Sequence, residues 1–383
     1  MIQITDKSQC CGYTACASIC THNAITMKPD TMGFLYPVVD LNKCINCGLC
    51  DKVCTFNDNY DKSLNLQNPK AYAARHKNLS ELRYSRSGAA FIAISDEIIQ
   101  NGGVVYGAGY TDHFRVVHKR ATTKEERNEF KGSKYVQSDL TGIFRQVRKD
   151  LQNDLTVLFS GTPCQTAALN RFVGIKLRKK LILVDIICHS VPSPFIWQDY
   201  LTYIEKKYKS KITKLEFRDK SIGWYQEHLE SFTLENGKQI KDFLLRIFFN
   251  HGLGTRLSCS DCKFCNLQRP SDITIGDFWG YEKSVPEMNL DNKGISLIIC
   301  NTQVGLNLIE KLSNIHKKEV GIDKIIQPNL QYPSSIDPRW EEFAIDYKKY
   351  GFIYIGKKYG NIGLKFKIKH IIKRIKSKIL SNL

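Results

Sequence analysis

The chain has 383 residues and a formal net charge of +18, with 42% hydrophobic and 25% charged residues. This length predicts two or three domains, and the composition is ordinary for a soluble globular protein. No apolar run reaches the 18 residues of a membrane-spanning helix, and the opening segment MIQITDKSQC has no apolar core of a signal peptide. We therefore expect a cytoplasmic protein and exclude a secreted disulphide scaffold.

Fourteen cysteines require an explanation in a reducing compartment. Most of them fall into tight groups, with neighbours two or three residues apart. Thiols so close in sequence rarely form disulphides with each other but readily share a metal. Cys300 differs, because it stands in the apolar run ISLIIC and is typical of a buried cysteine without a ligand role.

Residues 1–55 form the first predicted unit, and it contains a cysteine pattern twice, about 34 residues apart. The complete copy is C44-x2-C47-x2-C50-x3-C54, the run typical of bacterial ferredoxins. In such a run the fourth cysteine reaches the neighbouring cluster, so we expect Cys44, Cys47 and Cys50 to share a 4Fe–4S cluster with Cys20. Zinc is the alternative, since four cysteines also bind it.

The upstream copy of the pattern is interrupted. It needs cysteines at positions 10, 13 and 16, but position 13 is Tyr13, while Cys11 is an additional cysteine beside Cys10. A second cluster would use Cys10 or Cys11 together with Cys16 and Cys54. The alternative is a degenerate half-site that holds a three-iron cluster or none.

The stretch between the two copies predicts a hairpin-like connection, with Gly33 and Pro37 as breakers.

A polar linker over residues 56–70 precedes the second predicted unit, residues 71–345. The pattern there predicts the following elements: a helix at 89–100, a hairpin around Thr111–Asp112, buried strands at 155–159 and 181–187 with a helix between them, and a strand within 272–280. Apolar strands that alternate with helices predict a parallel or mixed sheet. We therefore expect an α+β or α/β protein, with a small ferredoxin-like domain before a mixed-sheet domain.

A third cysteine group belongs to this second unit. Cys164 and Cys188 each follow an apolar strand, so we expect both at the sheet edge where α/β proteins bind ligands. Cys259, Cys262 and Cys265 stand in CSDCKFC. Two isolated thiols and a CxxC pair make four ligands. Alternatively, Cys164 and Cys188 are core cysteines and CSDCKFC binds zinc alone.

Two loops have features of anion sites. Ser85–Gly88 precedes the helix predicted from residue 89, where hydroxyls and backbone N–H groups cap a helix or hold a phosphate. KGSKY at 131–135 places a glycine turn between two lysines.

Six segments together resemble the beta subunit family of coenzyme F420 hydrogenase/dehydrogenase, whose relatives include 7-hydroxymethyl chlorophyll a reductase. They are SRSGAAF, GGVVYGAGY, FKGSKYVQS, SGTPCQTAAL, DIICHSVPSP and CSDCKFC…SDITIGDFWG. The resemblance covers residues 71 to about 340. It implies an FAD or other flavin next to a 4Fe–4S cluster, and two or three such clusters in the whole chain.

The resemblance also implies site residues. The flavin-domain cluster would be bound by Cys164, Cys188, Cys259 and Cys262, with Cys265 as the spare cysteine. The residues on the flavin side would be Ser87, Gly88, Gly132, Ser133, Lys134, Tyr135, Pro163 and Gln165. No catalytic residue is predicted, and His189 is interpreted as structural rather than as a proton donor. Ala89 departs from the family, where many members have a second glycine.

The predicted function is therefore an oxidoreductase that relays single electrons through clusters to a flavin, which exchanges two electrons with a substrate. The alternative is an electron-transfer adaptor that feeds a separate enzyme and has no substrate of its own. Predicted partners are a ferredoxin-like or reductase electron donor and a small-molecule substrate. Nucleic acid is not expected, because the basic residues do not form a recognised binding pattern.

Residues 346–383 are predicted to be a basic, amphipathic tail. From Lys348 to the end there are eleven Lys or Arg residues and no acidic residue. Isoleucines on one helical face with basic residues around it are typical of helices at a membrane surface. We expect this tail to bind an anionic membrane surface, which would make the protein peripheral at the inner face. Docking of the isoleucines onto the second unit is the alternative.

Overall fold

The computed structural model describes residues 1–56, 60–224, 230–242, 244, 248 and 251–363. The N-terminal unit contains two short helices, α1 (Ala15–Ile19) and α2 (Leu49–Lys52), on either side of the antiparallel hairpin of β1 (Ile25–Pro29) and β2 (Leu35–Val39). This hairpin lies where the sequence predicts one. Gly33, with φ +83°, lies in its turn, whereas Pro37 pairs with Met27 inside β2.

The strands that follow in the described residues are β3 (Asn65–His76), β4 (Val104–Thr111), β5 (Arg115–Ala121), β6 (Val157–Gly161), β7 (Leu181–Ile186), β8 (Ile212–Glu216), β9 (Glu230–Leu234), β10 (Gln239–Asp242), β11 (Ile273–Asp277), β12 (Ser296–Thr302) and β13 (Ile315–Val320). The large sheet has eight strands in the order β13-β3-β12-β11-β7-β6-β4-β5, and β8 to β10 form a separate antiparallel sheet. The predicted mixed α/β fold is confirmed.

Eight helices of the described residues accompany these strands: α3 (Leu79–Tyr84), α4 (Ala90–Gln100), α5 (Lys124–Asn128), α6 (Ile143–Gln152), α7 (Pro163–Leu177), α8 (Pro194–Tyr208), α9 (Gln303–Lys311) and α10 (Trp340–Lys358). Helix α7 starts with proline after Thr162, whose side chain and that of Gln165 form a capping box. The described residues contain no helix that is long and apolar enough to cross a bilayer.

The centre of the large sheet is parallel. β4, β6, β7 and β11 run in the same direction, with Leu158 paired to Ile182 and Ile275 to Ile186. These strands are short apolar runs because side chains on both faces are buried, as parallel strands require. Their carboxyl ends therefore lie along one edge, where the loops after them carry the residues of the site.

Two predicted boundaries fall within regular elements. β3 begins inside the expected linker 56–70, and α10 continues across the expected boundary between residues 345 and 346. Phe343, Phe352 and Ile355 of α10 are buried in the core. The part of the basic tail from residue 364 onward lies outside the described residues, so its membrane binding stays a prediction.

A buried ion pair connects three strands of the large sheet. Both carboxylate oxygens of Asp272 lie 2.9 Å from Arg178 Nη2, and they also accept hydrogen bonds from Leu183 N and Thr302 Oγ1. Asp272 has no exposed surface. A buried carboxylate is tolerated only when it is paired and fully hydrogen-bonded, and Asp272 meets that condition.

We expect Asp272→Ala to lower the free energy of unfolding by about 3–5 kcal/mol, because it leaves the Arg178 guanidinium buried without its partner. Urea denaturation followed by tryptophan fluorescence measures the change. Asp323→Ala is the matched control, since the Lys324–Asp323 pair is exposed and contributes at most about 1 kcal/mol. Equal stability of the two variants would contradict the assigned role of Asp272.

Candidate functional site

Three cysteines of the N-terminal ferredoxin run line one cavity near the surface, together with Cys20. Its thiols come from Cys20, Cys44, Cys47 and Cys50, which we call the surface thiol group. Ile2 N donates a hydrogen bond to Cys50 Sγ and Ala24 N to Cys20 Sγ, each at 3.3 Å. Backbone donors to sulphur stabilise thiolates, so this group has the donor set and the environment that a 4Fe–4S cluster needs.

Next to it lies the middle thiol group, formed by Cys10, Cys16 and Cys54, which are close enough to influence each other electrostatically. Tyr13 occupies the place of the missing cysteine, and its hydroxyl is 3.3 Å from Cys54 Sγ. Thr55 donates to the same oxygen from its backbone N, at 2.9 Å, and from Oγ1. The Tyr13 hydroxyl is thus in hydrogen-bond contact with both Cys54 and Thr55.

The third set of thiols lines a cavity between the two units, and we call it the inner thiol group: Cys11, Cys164, Cys188, Cys259, Cys262 and Cys265. Two of its members differ from expectation. Cys11, expected as an option for the middle group, lines this cavity together with Cys164. Cys265, expected to be spare, lines the cavity as well.

The sheet explains how the inner group assembles. Cys164 follows β6 and Cys188 follows β7, and the ends of these neighbouring parallel strands are paired through Gly161 and Asp185. Both thiols consequently lie at the same edge, as the sequence predicted. The loop of residues 256–265 brings the remaining C-terminal thiols to this edge.

Burial keeps several of these thiols protonated when no metal is bound. It raises the pKa of Cys16 and of Cys259 to about 12 and that of Cys188 well above its usual value. Metal binding must then release protons, since only thiolates are ligands. Among the described residues, no three Cys, His, Asp or Glu side chains converge closely enough to hold a single metal ion.

A much larger cavity of about 490 Å³ opens at the carboxyl ends of β4, β6, β7 and β11. Of the predicted cofactor-side residues it is lined by Ser87, Gly132, Ser133, Lys134, Tyr135 and Gln165. Two others lie elsewhere. Gly88 packs against β3, where a Cβ would come 2.1 Å from Ala74 O, and Pro163 lines the inner-group cavity.

Lys134 has a different role from the expected phosphate contact. Its Nζ donates to the carbonyl oxygens of Glu129, Lys131 and Gly132, at 2.8, 3.0 and 3.2 Å. Desolvation lowers the pKa of this amine to about 7. All three donors of an ammonium are thus used by the backbone. Lys134 shapes the glycine turn of KGSKY rather than offering free donors to a ligand.

The large cavity is positively charged. Arg86, Lys131 and Arg218 line it, and the carboxylate among its described lining residues is Asp277. Asp277 is engaged by Arg218, Ser87 and Trp224 Nε1. Arg86 Nη2 donates to Phe217 O, but its buried Nε has no hydrogen-bond partner among the described residues. Arg86 therefore places a buried cation in the wall of the cavity.

His118 also lines the large cavity, and the sequence patterns did not indicate it. Its Nε2 is 3.0 Å from Ser160 O, and its ring stacks on Phe159 with 5.1 Å between ring centres. Burial lowers its pKa to about 4, so the ring is neutral at physiological pH. His189, interpreted as structural, also lines the cavity and is exposed to it.

The large cavity and the inner-group cavity share a wall. The residues that line both are Thr162, Gln165, Cys188, Ser190 and Val191. Cys188, one of the inner thiols, therefore lines the large cavity itself. This arrangement brings a ligand site and a thiol site into direct contact.

Arg256 connects the two units at this point, and sequence reasoning missed it. It is 1% exposed, and it donates to Cys10 O at 2.7 Å, to Leu35 O at 2.9 Å and to Gln137 Oε1 at 2.9 Å. Gln137 Nε2 in turn donates to Cys11 O at 2.8 Å. The only local signal was the position of Arg256 three residues before CSDCKFC.

The structure thus combines a mixed α/β sheet with grouped thiols beside a large cavity at the carboxyl edge of that sheet. Residues 154–323 match the family model for the C terminus of the coenzyme F420 hydrogenase/dehydrogenase beta subunit. The resemblance predicted from the sequence is confirmed over these residues. The family consists of oxidoreductase subunits.

One solved structure with partial similarity is a chain of the F420-reducing [NiFe] hydrogenase complex from Methanosarcina barkeri. It is 17% identical, with 78% of this chain and 93% of that chain covered and a TM-score of 0.47. No curated protein matches the chain.

We expect Arg256→Met to lower the free energy of unfolding by about 3–5 kcal/mol, because three buried acceptors lose a charged donor. Hydrogen exchange of residues 10–12 should accelerate in parallel, which distinguishes release of the N-terminal unit from a general loss of stability. Arg339→Met is the control, because the Arg339 side chain is 53% exposed in its pair with Asp337. Unchanged exchange at residues 10–12 would contradict the anchoring role.

Proposed function

We propose that this chain is an iron–sulphur flavoprotein oxidoreductase with two or three 4Fe–4S clusters. The observation that carries the proposal is the wall shared by the large cavity and the inner thiol group. A flavin in the large cavity and a cluster on the inner thiols would be neighbours, which short-range electron transfer requires. When bound, clusters supply one-electron steps and a flavin supplies the exchange between one- and two-electron chemistry.

The large cavity suits a flavin by size, charge and lining. Its volume lies within the range of about 300–1,000 Å³ that small-molecule sites occupy. Phe91, Phe130 and Trp279 give it apolar walls, while Arg86 supplies positive charge for a phosphate. Lys131 is paired with Glu81 at 2.6 Å. The glycine turn of KGSKY, whose carbonyls accept hydrogen bonds from Lys134, contributes backbone atoms to the lining of the cavity. These residues would bind and orient the cofactor.

The surface thiol group suits an electron donor. Cys47 is exposed, and the neighbouring side chains of Leu41 and Ile45 are 70% and 63% exposed. A ferredoxin-like or reductase partner would approach this loop, because electron transfer requires short distances. Electrons would then pass inward through the middle and inner groups to the substrate side of the large cavity.

An adaptor without its own substrate is the rival function. The large cavity favours an enzyme, because an adaptor needs a path for electrons but no ligand site of this size. Turnover separates the two. The isolated chain, supplied with an artificial electron donor, should reduce a small acceptor without any partner protein.

Iron, sulphide and flavin analysis after anaerobic purification tests the proposal directly. We expect eight to twelve irons per chain, as two or three four-iron clusters require, and one non-covalent flavin. Stoichiometric zinc without iron would overturn the proposal, and so would iron without any flavin after reconstitution with FAD.

Arg86→Met should weaken flavin binding about tenfold or more, because it removes the cation whose Nε is unpartnered in the cavity wall. Flavin fluorescence titration measures the affinity, and iron content should stay unchanged. Arg83→Met is the matched control, three residues earlier on the exposed side of α3. Equal affinities of the two variants would remove Arg86 from the cofactor site.

Tyr13→Cys should stabilise a cluster on the middle thiol group, because it restores the x2 spacing of the ferredoxin run. The expected result is a higher iron content and a longer half-life of the cluster signal in air. Tyr13→Phe is the comparison, since it removes the hydroxyl beside Cys54 without adding a ligand. If Tyr13→Cys leaves both quantities unchanged, the middle group is complete without a cysteine at position 13.

A further inference from the structure

Helix α10 has apolar side chains on the side that faces solvent as well as on the side that faces the core. Ile345 is 64% exposed, Tyr350 50%, Ile353 44% and Tyr354 37%, and we call these four residues the outer face. The buried residues of the same helix are Phe343, Asp346, Tyr347, Phe352, Ile355 and Gly356. A surface helix normally exposes polar residues instead. Exposed apolar residues grouped in this way mark an interaction surface.

The break within the helix does not divide the outer face. Gly351 has φ +74° inside α10, but the rings of Tyr350 and Tyr354 remain in contact across it, with 4.5 Å between ring centres. Each tyrosine combines an apolar ring with a polar hydroxyl, and side chains of this kind are enriched where a membrane meets water. The isoleucines and tyrosines of the outer face therefore suit a boundary between hydrocarbon and water.

Positive charge surrounds the outer face. Lys348, Lys349 and Lys357 are exposed, and no carboxylate of the described residues forms an ion pair with them. The carboxylates of Glu342 and Asp346, in the first two turns of α10, are bound by Lys358 instead. Residues 347–358 contain no acidic residue, and residues 364–383 add seven basic residues and no acidic one. The three exposed lysines thus keep their charge for an anionic surface.

We propose that the outer face of α10 docks onto an anionic lipid bilayer. Its isoleucine and tyrosine side chains enter the boundary between headgroups and acyl chains, and the three lysines attract anionic headgroups. Charge complementarity selects this occupant. A second copy docked face to face would place the same lysines opposite each other, and like charges across an interface are unfavourable. The inference is independent of the proposed function, because the outer face lines neither the large cavity nor the inner-group cavity.

Co-sedimentation of the full chain with lipid vesicles tests the inference. We expect binding to vesicles of phosphatidylglycerol and phosphatidylcholine in equal amounts, and binding about tenfold or more weaker to phosphatidylcholine alone. Salt should reduce the binding, because the Debye length falls from about 10 Å at about 0.1 M ionic strength to about 3 Å at about 1 M. The triple variant Ile353→Ser, Lys349→Gln and Lys357→Gln should bind the anionic vesicles about tenfold or more weakly than the natural chain.

The matched control is Ile175→Ser combined with Lys176→Gln and Lys179→Gln. It replaces the same residue types at the end of α7 and just after it, where Ile175 is 76% exposed and both lysines are exposed. We expect this control to bind the anionic vesicles like the natural chain. Both variants alter exposed side chains only, so neither disturbs the core.

Unchanged binding of the α10 variant, an equal loss in both variants, equal binding to the two kinds of vesicle, or no binding to the anionic vesicles would each overturn the inference. Sedimentation velocity without lipid examines the other occupant. A dimer that only the α10 variant dissociates would assign the outer face to a second copy of the chain instead.

Discussion

The buried guanidinium of Arg256 is the contact on which the arrangement of thiols depends. Its donors reach Cys10 O, Leu35 O and Gln137 Oε1, and its central carbon lies 4.4 Å from the centre of the Tyr36 ring. An arginine suits this place because its donors point in fixed directions from one plane. Lysine could not reach three acceptors from a single flexible stem with the same geometry. The contact joins the N-terminal unit to the loop that carries the C-terminal cysteines. It therefore fixes the positions of the two sets of thiols relative to each other.

Chain connectivity then sets the order of the three thiol groups. Helix α1 separates Cys16 of the middle group from Cys20 of the surface group, and α2 with the residues after it separates Cys50 from Cys54. The Cys10–Cys11 peptide continues this order to the inner group. A short segment of the chain thus connects each thiol group to the next. The spacing between the groups cannot change unless a helix or the Arg256 contact is broken. A fixed spacing is what a relay of single electrons needs.

Sequence reasoning predicted the parts of the site that follow from local patterns. Cys164 and Cys188 come after apolar strands, and strands of this kind are parallel neighbours whose ends meet. The large cavity likewise contains most of the expected cofactor-side residues, because KGSKY and the segment around Ser87 lead into the same edge. The ferredoxin run brings Cys44, Cys47 and Cys50 together through its short spacing.

The parts that could not be predicted depend on contacts between distant segments. The direction of Cys11 is set by Arg256, 245 positions later in the chain. No spacing rule distinguishes Cys10 from Cys11, because the doublet allows either thiol to complete the motif. Lys134 carries a charge that suggests a ligand contact, but its donors are used by three carbonyls that only the folded turn brings together.

The charge of the large cavity depends on Asp277, the carboxylate among its described lining residues, and on the groups that bind this carboxylate. Asp277 closes β11, and its oxygens are engaged by Arg218, Ser87 and Trp224. Its negative charge is therefore offset inside the wall, and desolvation, which opposes ionisation, is outweighed so that its pKa is lowered. The carboxylate stays ionised and holds Arg218 in place, while Arg86 keeps a donor without a partner among the described residues. In a cavity of low dielectric, an anion that pairs with Arg86 gains more than it would in water. The same network that stabilises the sheet edge thus leaves one cation for the ligand.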